Sequence, residues 1–254
     1  MTASLWWNNS FHLQLLPINQ ILSWMVLPKV KVIIPALNEE RSICHVLNDI
    51  PQNMVEEVIV IDNGSFDRTG EKARECGATV LIEMNKGYGS ACLKGMDYLA
   101  SLEIKPDVIV FLDADYSDHP EEMNNLLKPI VEDEADLVIG SRELGSREHG
   151  SMTFPQIFGN RLATFLLDFF YKQKFTDLGP FRAIRYESFL KLGMIDKNFG
   201  WTVEMQLKAA KNGLRCTEVP VSYRRRIGKS KVSGTIKGTI LAGYKILWTI
   251  FKHL

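Results

Sequence analysis

Asp113 and Asp115 stand one residue apart at the end of the apolar run 108–112. If that run is a strand, its alternation sends both carboxylates to the same side. Paired carboxylate oxygens suit Mg²⁺ or Mn²⁺, hard ions that fill their remaining positions with water and substrate phosphate. Such a pair is common by chance, and capping a helix is its ordinary role. Its place after a hydrophobic central strand makes it far more specific. Two other apolar runs end in polar residues, one in Pro35-Ala36-Leu37-Asn38-Glu39 and one in Asp62-Asn63-Gly64-Ser65. In open α/β sheets ligands bind beyond the carboxyl ends of the strands, so these three ends mark the expected site.

Other chemistries lack their residues. Gly87-Tyr88-Gly89 opens a helix after a strand, but Cys92 fills the third glycine position of a dinucleotide fingerprint and this is not the first βα turn. The two glycines read as a tight backbone turn beside a substrate. There is no GxxxxGK[ST] loop, no HExxH pair among the five histidines, and no GxSxG elbow for a serine hydrolase.

The elements that must hold these residues follow from periodicity. Runs at 30–34, 58–62, 79–83, 108–113 and 137–140 are β-branched without polar alternation, which predicts strands covered on both faces. Helices are expected over 39–49, over 66–75 with Ser65 as cap and Gly77 behind, and over 87–99. This rhythm describes a doubly wound α/β half. A Gly-, Ser- and charge-rich loop follows over 143–152. Beyond it come a helix over 160–171, a short strand through Phe181-Arg182-Ala183-Ile184-Arg185, a helix over 203–212 and a strand over 216–221. The expected organisation is an N-terminal extension over 1–28, with Met25 an alternative start, a main domain over 29–234 and a C-terminal amphipathic helix over 235–254.

The 254 residues carry 30 basic and 30 acidic side chains, so a globally basic nucleic-acid binder is not indicated. Cys44, Cys76, Cys92 and Cys216 show no ligand spacing and read as free thiols of a reducing compartment, the cytosol. No stretch is apolar for long enough to span a bilayer. After Glu218 there is no acidic residue, while Arg224, Arg225, Arg226, Lys229, Lys231, Lys237, Lys245 and Lys252 follow. A solvated basic face accounts for this, and so does binding to phosphates or an anionic membrane surface. The closing helix, with Trp248 and Phe251, reads equally as interfacial or as core-packed.

The segments VIIPALNEE, VIVIDNGSFDRTG, NKGYGSACLKG, FLDADYSDHP, IGSR, TDLGPFRAIR and RRIGKSK resemble, in order, the motifs of family 2 glycosyltransferases. The likeness covers roughly residues 29–234 and is strongest to the dolichol-phosphate mannose and glucose synthase branch. It implies a GT-A fold, a Rossmann-like mixed sheet flanked by helices. It also implies inverting transfer of a sugar from a nucleotide-diphosphate donor, with a polyprenyl phosphate as the usual acceptor. The expected location is then cytoplasmic, peripheral at the inner face of the cell membrane. The resemblance places Pro35, Leu37, Glu39, Ile61, Asp62 and Asn63 around base and ribose, and Asp113, Ala114 and Asp115 around metal and diphosphate. Arg142 matches an arginine near the acceptor phosphate, and Arg225 and Lys231 match a basic loop over the donor, with a one-residue offset among the three arginines open. Asn63 and Ser117 depart from the aspartate and glutamine of many relatives, which leaves base and sugar undecided.

The chemistry can be stated in physical terms. Charge develops on the diphosphate as the sugar–oxygen bond breaks, and a divalent ion with Arg225 and Lys231 would stabilise it. A phosphate acceptor is already anionic and needs orientation, for which Arg142 is placed. A hydroxyl acceptor needs a general base, and Asp177 is the candidate, its other role being to cap the turn before Gly179-Pro180. A nucleotidyltransferase would show a Gly-rich basic loop near the N-terminus. A non-catalytic nucleotide-sugar binder would not need Asp113 and Asp115.

Overall fold

The computed structural model describes residues 28–228 and 236–253. The expected extension, Met25, Lys229 and Lys231 lie outside them. Strands β1 (Val30–Ala36), β2 (Glu57–Asp62) and β3 (Thr79–Ile82) are parallel, joined through helices α1 (Ile43–Asp49) and α2 (Thr69–Glu75). Helix α3 (Tyr88–Ser101) leads into β4 (Val108–Phe111), parallel to β1. Then come α4 (Met123–Val131), β5 (Leu137–Ser141), α5 (Phe154–Tyr171), β6 (Arg182–Arg185), α6 (Tyr186–Leu192), α7 (Trp201–Lys211), β7 (Cys216–Pro220) and α8 (Ile236–Lys252). The sheet order is β3-β2-β1-β4-β6-β5-β7, and β6 alone runs against its neighbours.

The central strands are apolar because both their faces are covered. Ile33, Ile59, Ile109 and Phe111 point into one core with Met96 and Leu99 of α3, Leu167 of α5 and Leu207 of α7. Val32, Ile34, Val60 and Val110 point into the other, against Val46 of α1 and Leu126 and Ile130 of α4. The edge strands β3 and β7 are only half-buried, so the expectation of full cover fails at β3. Reversal of β6 has a functional consequence: residues 178–181, which lead into it, emerge where β1, β2, β4 and β5 end.

Several boundaries differ from the periodic pattern, each for a local reason. Residues 39–42 form a turn ahead of α1, because Asn38 takes a left-handed φ of 55° and its neighbours' amides bond elsewhere. The amides of Asn38, Glu39 and Glu40 donate to Ser65 Oγ, Thr69 Oγ1 and Asp67 Oδ2. Ser65 is thereby used between loops and does not cap α2, which starts only at Thr69. Helix α5 begins six residues early through a capping box, Thr153 with Gln156, and Pro155 in its first turn. Two short helices, α4 and α6, went unread.

The cysteine reading is corrected for one pair. Cys44 on α1 and Cys76 after α2 form a disulfide with their Cα atoms 5.9 Å apart, whereas Cys92 and Cys216 are free thiols. The two helices lie side by side on one face of the sheet, a proximity that spacing along the chain does not reveal. Titration with Ellman's reagent under denaturing, non-reducing conditions should count two thiols. Reduction should lower the melting temperature, by at most about 3–4 kcal/mol of stability for a closed loop of this size. Four titrating thiols would restore the original reading.

Candidate active site

Two cavities meet at the carboxyl edge of the sheet. One, of about 340 Å³, is lined by Pro35, Leu37 and Glu39 after β1, Asn63 after β2, and Asp113, Ala114 and Asp115 after β4. The other, of about 320 Å³, lies between α5 and α8 and has Arg142 and Trp201 in its wall. Tyr88, Asp113, Asp115, Phe199 and Arg226 line both, so the carboxylate pair stands at the junction.

The junction carries an excess of negative charge on partly and fully buried carboxylates. Burial first, and then the charge of Asp115, push the Asp113 carboxyl up to about 7. Its Oδ1 is buried without a hydrogen-bond partner. Asp118 is buried as well, with neither oxygen partnered, and burial followed by the charges of Asp113 and Asp115 raises it well above the carboxylate range. Asp115 is better supplied: Oδ1 accepts the Ser117 amide and hydroxyl, and Oδ2 pairs with the Arg226 guanidinium at 2.8 Å. Orphaned hard oxygens short of positive charge fit a divalent cation. Among the described residues no three metal-ligating side chains are gathered, so such an ion would take its remaining ligands from water and a diphosphate.

The turn carrying these groups is held from below. Tyr116 has a left-handed φ of 66°, a costly conformation for a bulky residue. Its hydroxyl donates to Asp49 Oδ2, and the Arg224 guanidinium sits 3.4 Å from its ring centroid. Arg224 also donates to the carbonyls of Tyr116 and Asp118. The segment 224–228 is thus anchored, with the Ile227 amide on the Asp115 carbonyl. Of the three arginines it is Arg226 that reaches the site, contacting Asp115 and Glu39. Arg225 turns outward to Glu148 and the His149 carbonyl.

Arg142 and Asp177 form a buried pair. The carboxylate accepts the Arg142 amide at 2.8 Å, Nε at 2.7 Å and Nη2 at 2.6 Å. Burial alone would lower the guanidinium's pKa, but Asp177's charge and hydrogen bonds outweigh it and hold it raised. Asp177, the candidate base, is fully buried and lines neither cavity, and both its oxygens serve Arg142. Glu218 of β7 fixes it by accepting the amides of Thr176 and Asp177. Arg142 itself lies over the Tyr223 ring, 5.0 Å from its centroid, with its edge toward the second cavity.

Three further expectations change. Ile61 is packed in the core and Asp62 accepts the Ser65 amide, and neither lines a cavity. Asn63 lines the first cavity, yet its side chain is spent on structure: Nδ2 donates to the carbonyls of Glu83 and Asn85, and Oδ1 accepts the Gly87 amide. Gly87 and Gly89 are required by close approach of residues 196–198. A Cβ at either would stand 2.0 Å from a backbone oxygen, of Lys197 and Asp196 respectively. Tyr88, Phe199, Trp201 and Lys86 went unread, since isolated aromatic or basic residues carry no spacing signal.

The charge crowding gives a stability prediction. Asp113 ionises at about 3.8 when exposed and at about 7 here, so ionising it costs stability as pH rises between those values, and the cost persists above them. In EDTA at pH 8, Asp113→Asn should therefore be more stable than the parent, by at most about 4 kcal/mol, with the gap closing toward pH 4. Saturating Mn²⁺ should raise the melting temperature of the parent more than that of the variant. A variant less stable than the parent at pH 8 without metal would show that the carboxylate is structurally satisfied.

Comparison with known proteins agrees with this geometry. The model of glycosyl transferase family 2 matches residues 31–193. An uncharacterized glycosyltransferase of Mycobacterium tuberculosis is 35% identical over 216 residues, 84% of this chain and 94% of the relative. The undecaprenyl-phosphate mannosyltransferase of Micrococcus luteus is 33% identical over 226 residues, covering 83% and 90%. The fold is that of Mycobacterium tuberculosis glucosyl-3-phosphoglycerate synthase, solved with Mn²⁺, uridine diphosphate and phosphoglyceric acid. Its TM-score is 0.70 at 20% identity, over 89% of this chain and 78% of that one. A family match over more than half the chain, on a mixed sheet with its acidic pair at the strand ends, makes this protein a member of glycosyl transferase family 2 with the GT-A fold.

Proposed function

We propose that the protein transfers a sugar, with inversion, from a nucleoside-diphosphate donor to a polyprenyl phosphate at an anionic membrane surface. The observation that carries the acceptor class is the second cavity. Its walls are α5 and α8, through Pro155, Gly159, Ala242, Gly243 and Ile246, and Arg142 closes one end. The outer faces of the same helices expose Phe154, Phe158, Phe165 and Phe169 together with Ile240, Leu241, Tyr244, Trp248 and Phe251. Phe154 is 79% exposed, and so many uncovered large apolar side chains on two adjacent helices suit a bilayer interface. Among the described residues no helix is long and apolar enough to cross a membrane, so contact would be peripheral. The mannosyltransferase relative, named for undecaprenyl phosphate, supports this acceptor class.

In this reading Pro35, Leu37 and Glu39 form the wall for the nucleoside, and Asp113 with Asp115 hold Mg²⁺ or Mn²⁺. The bound ion would supply electrostatic stabilisation of the departing diphosphate. Arg226 is placed to follow that charge, exchanging Asp115 and Glu39 for diphosphate oxygens. Lys231 would add to it from the segment that follows. Arg142, rigid on Asp177 and Tyr223, orients an acceptor phosphate at the opposite side of the junction. A phosphate nucleophile needs no deprotonation, which accords with an Asp177 whose oxygens are both occupied. A hydroxyl acceptor would need a base that Asp177 is not placed to be.

The test is a screen of radiolabelled nucleotide sugars with anionic vesicles containing polyprenyl phosphate, followed by solvent extraction. Labelled lipid should form with one donor, vanish in EDTA and fall by at least about a thousandfold in Asp115→Ala. Replacing Phe165, Phe169 and Trp248 by Ser should release the protein from vesicles without unfolding it, since all three are exposed. Transfer only to a soluble hydroxyl acceptor, undiminished in EDTA, would refute both the acceptor and the ion.

A further inference from the structure

Lys245 is one of the cations in the acid-free tail, yet it points inward. Its Nζ lies 2.9 Å from Asp196 Oδ2, and Asp196 is buried. The other oxygen of Asp196 accepts the amides of Asn198 at 2.7 Å and Gly200 at 3.2 Å, so one carboxylate shapes the 196–200 turn and reaches α8. Glu204 of α7 clamps the same turn from the other side by accepting the amides of Ile195 and Asp196. There is no slack at the crossing: a Cβ on Gly200 would stand 2.6 Å from both Asp196 Oδ2 and Thr249 Oγ1 of α8.

The turn is also a wall of the site. The Lys197 carbonyl accepts the Ser90 amide, and residues 196–198 press on the Gly87-Tyr88-Gly89 turn. Asn198 lines the first cavity and Phe199 lines both. Helix α8 lines the second cavity with Ala242, Gly243 and Ile246, on either side of Lys245. The far end of α8 has other anchors, the buried Ile250 and the Tyr171 hydroxyl on the Ile250 carbonyl. Among the described side chains of α8, Lys245 makes the ion pair nearest the cavity-lining stretch.

We infer that Lys245 is a positioning residue: through Asp196 it holds the α8 wall of the second cavity in register with the 196–200 partition, so that the two cavities keep one geometry. The inference rests on the glycosyl-transfer reading only for its kinetic consequence. Asp196 is buried while the Lys245 side chain keeps about a third of its surface exposed, so losing the ammonium leaves a buried carboxylate oxygen without its counter-charge. Small misplacements of a reacting pair cost rate far more than they cost binding to one half of the site.

Two readouts test this in the full-length protein. Peptide-level hydrogen exchange, which requires no substrate, should show peptides covering 196–200 and 240–246 exchanging faster in Lys245→Met and Asp196→Asn. Lys245→Arg should restore protection. For the donor that passes the screen, kcat for transfer to lipid should fall on the order of tenfold or more in Lys245→Met. Affinity for the nucleoside diphosphate alone, with Mn²⁺, should stay within about twofold, and Lys245→Arg should recover much of the rate. Unchanged exchange in 196–200, or equal losses of nucleotide affinity and kcat that the arginine does not rescue, would overturn the positioning role. Absence of transfer in the parent protein would refute the glycosyl-transfer reading, while the exchange comparison would still decide the tether.

Discussion

Negative charge at the end of β4 is the constraint around which this site is arranged. Three aspartates lie within six residues there, Asp115 and Asp118 buried and Asp113 partly so, with fewer cations than carboxylates beside them. An ordinary core would neutralise or expel such groups. Here each surrounding device limits the charge without cancelling it. Arg226 covers one face of Asp115, Ser117 bonds the other, and Arg224 bonds the carbonyls of the turn and not its carboxylates. Arg142, the strongest nearby cation, is already matched by Asp177. What is left is a site preorganised for a positive charge it does not itself supply.

The topology explains how distant segments reach that point. Parallel β1, β2, β4 and β5 deliver their ends to one edge, and β6, running the other way, delivers its beginning there. Asp177, in the approach to β6, therefore meets Arg142 at the end of β5, 35 residues away in sequence. Glu218 on β7 completes the arrangement from the adjacent edge strand. A fully parallel sheet would have put Asp177 at the opposite edge, far from Arg142.

Much of this was legible in the residues. The apolar runs identified the strands because burial on both faces leaves no other composition, and Asp113 with Asp115 stood out because they interrupt such a run. Less legible was whatever depends on side chains meeting across the fold. Whether Arg225 or Arg226 turns inward depends on the anchoring of Arg224 against Tyr116, which no spacing encodes. Asp177 reads as a candidate base from its type and Asn63 as base-contacting from the family resemblance, and each spends its hydrogen bonds on neighbouring backbone or a guanidinium. The Cys44–Cys76 link was hidden for the same reason. Helix α5 was misplaced at its start although Thr153, Pro155 and Gln156 spell a capping signal, because the apolar period was followed in preference to the cap.

The reversed strand has a further consequence, for the order of events during synthesis. β4 is complete at Phe111, but its second neighbour, β6, begins only at Arg182. While the intervening residues emerge from the ribosome, a fully apolar strand presents an open hydrogen-bonding edge next to an otherwise finished β3-β2-β1-β4 half-sheet. Unpaired edges of this kind recruit other chains. Nascent fragments ending between 112 and 181 thus carry an exposed apolar strand edge that the complete chain covers with β6.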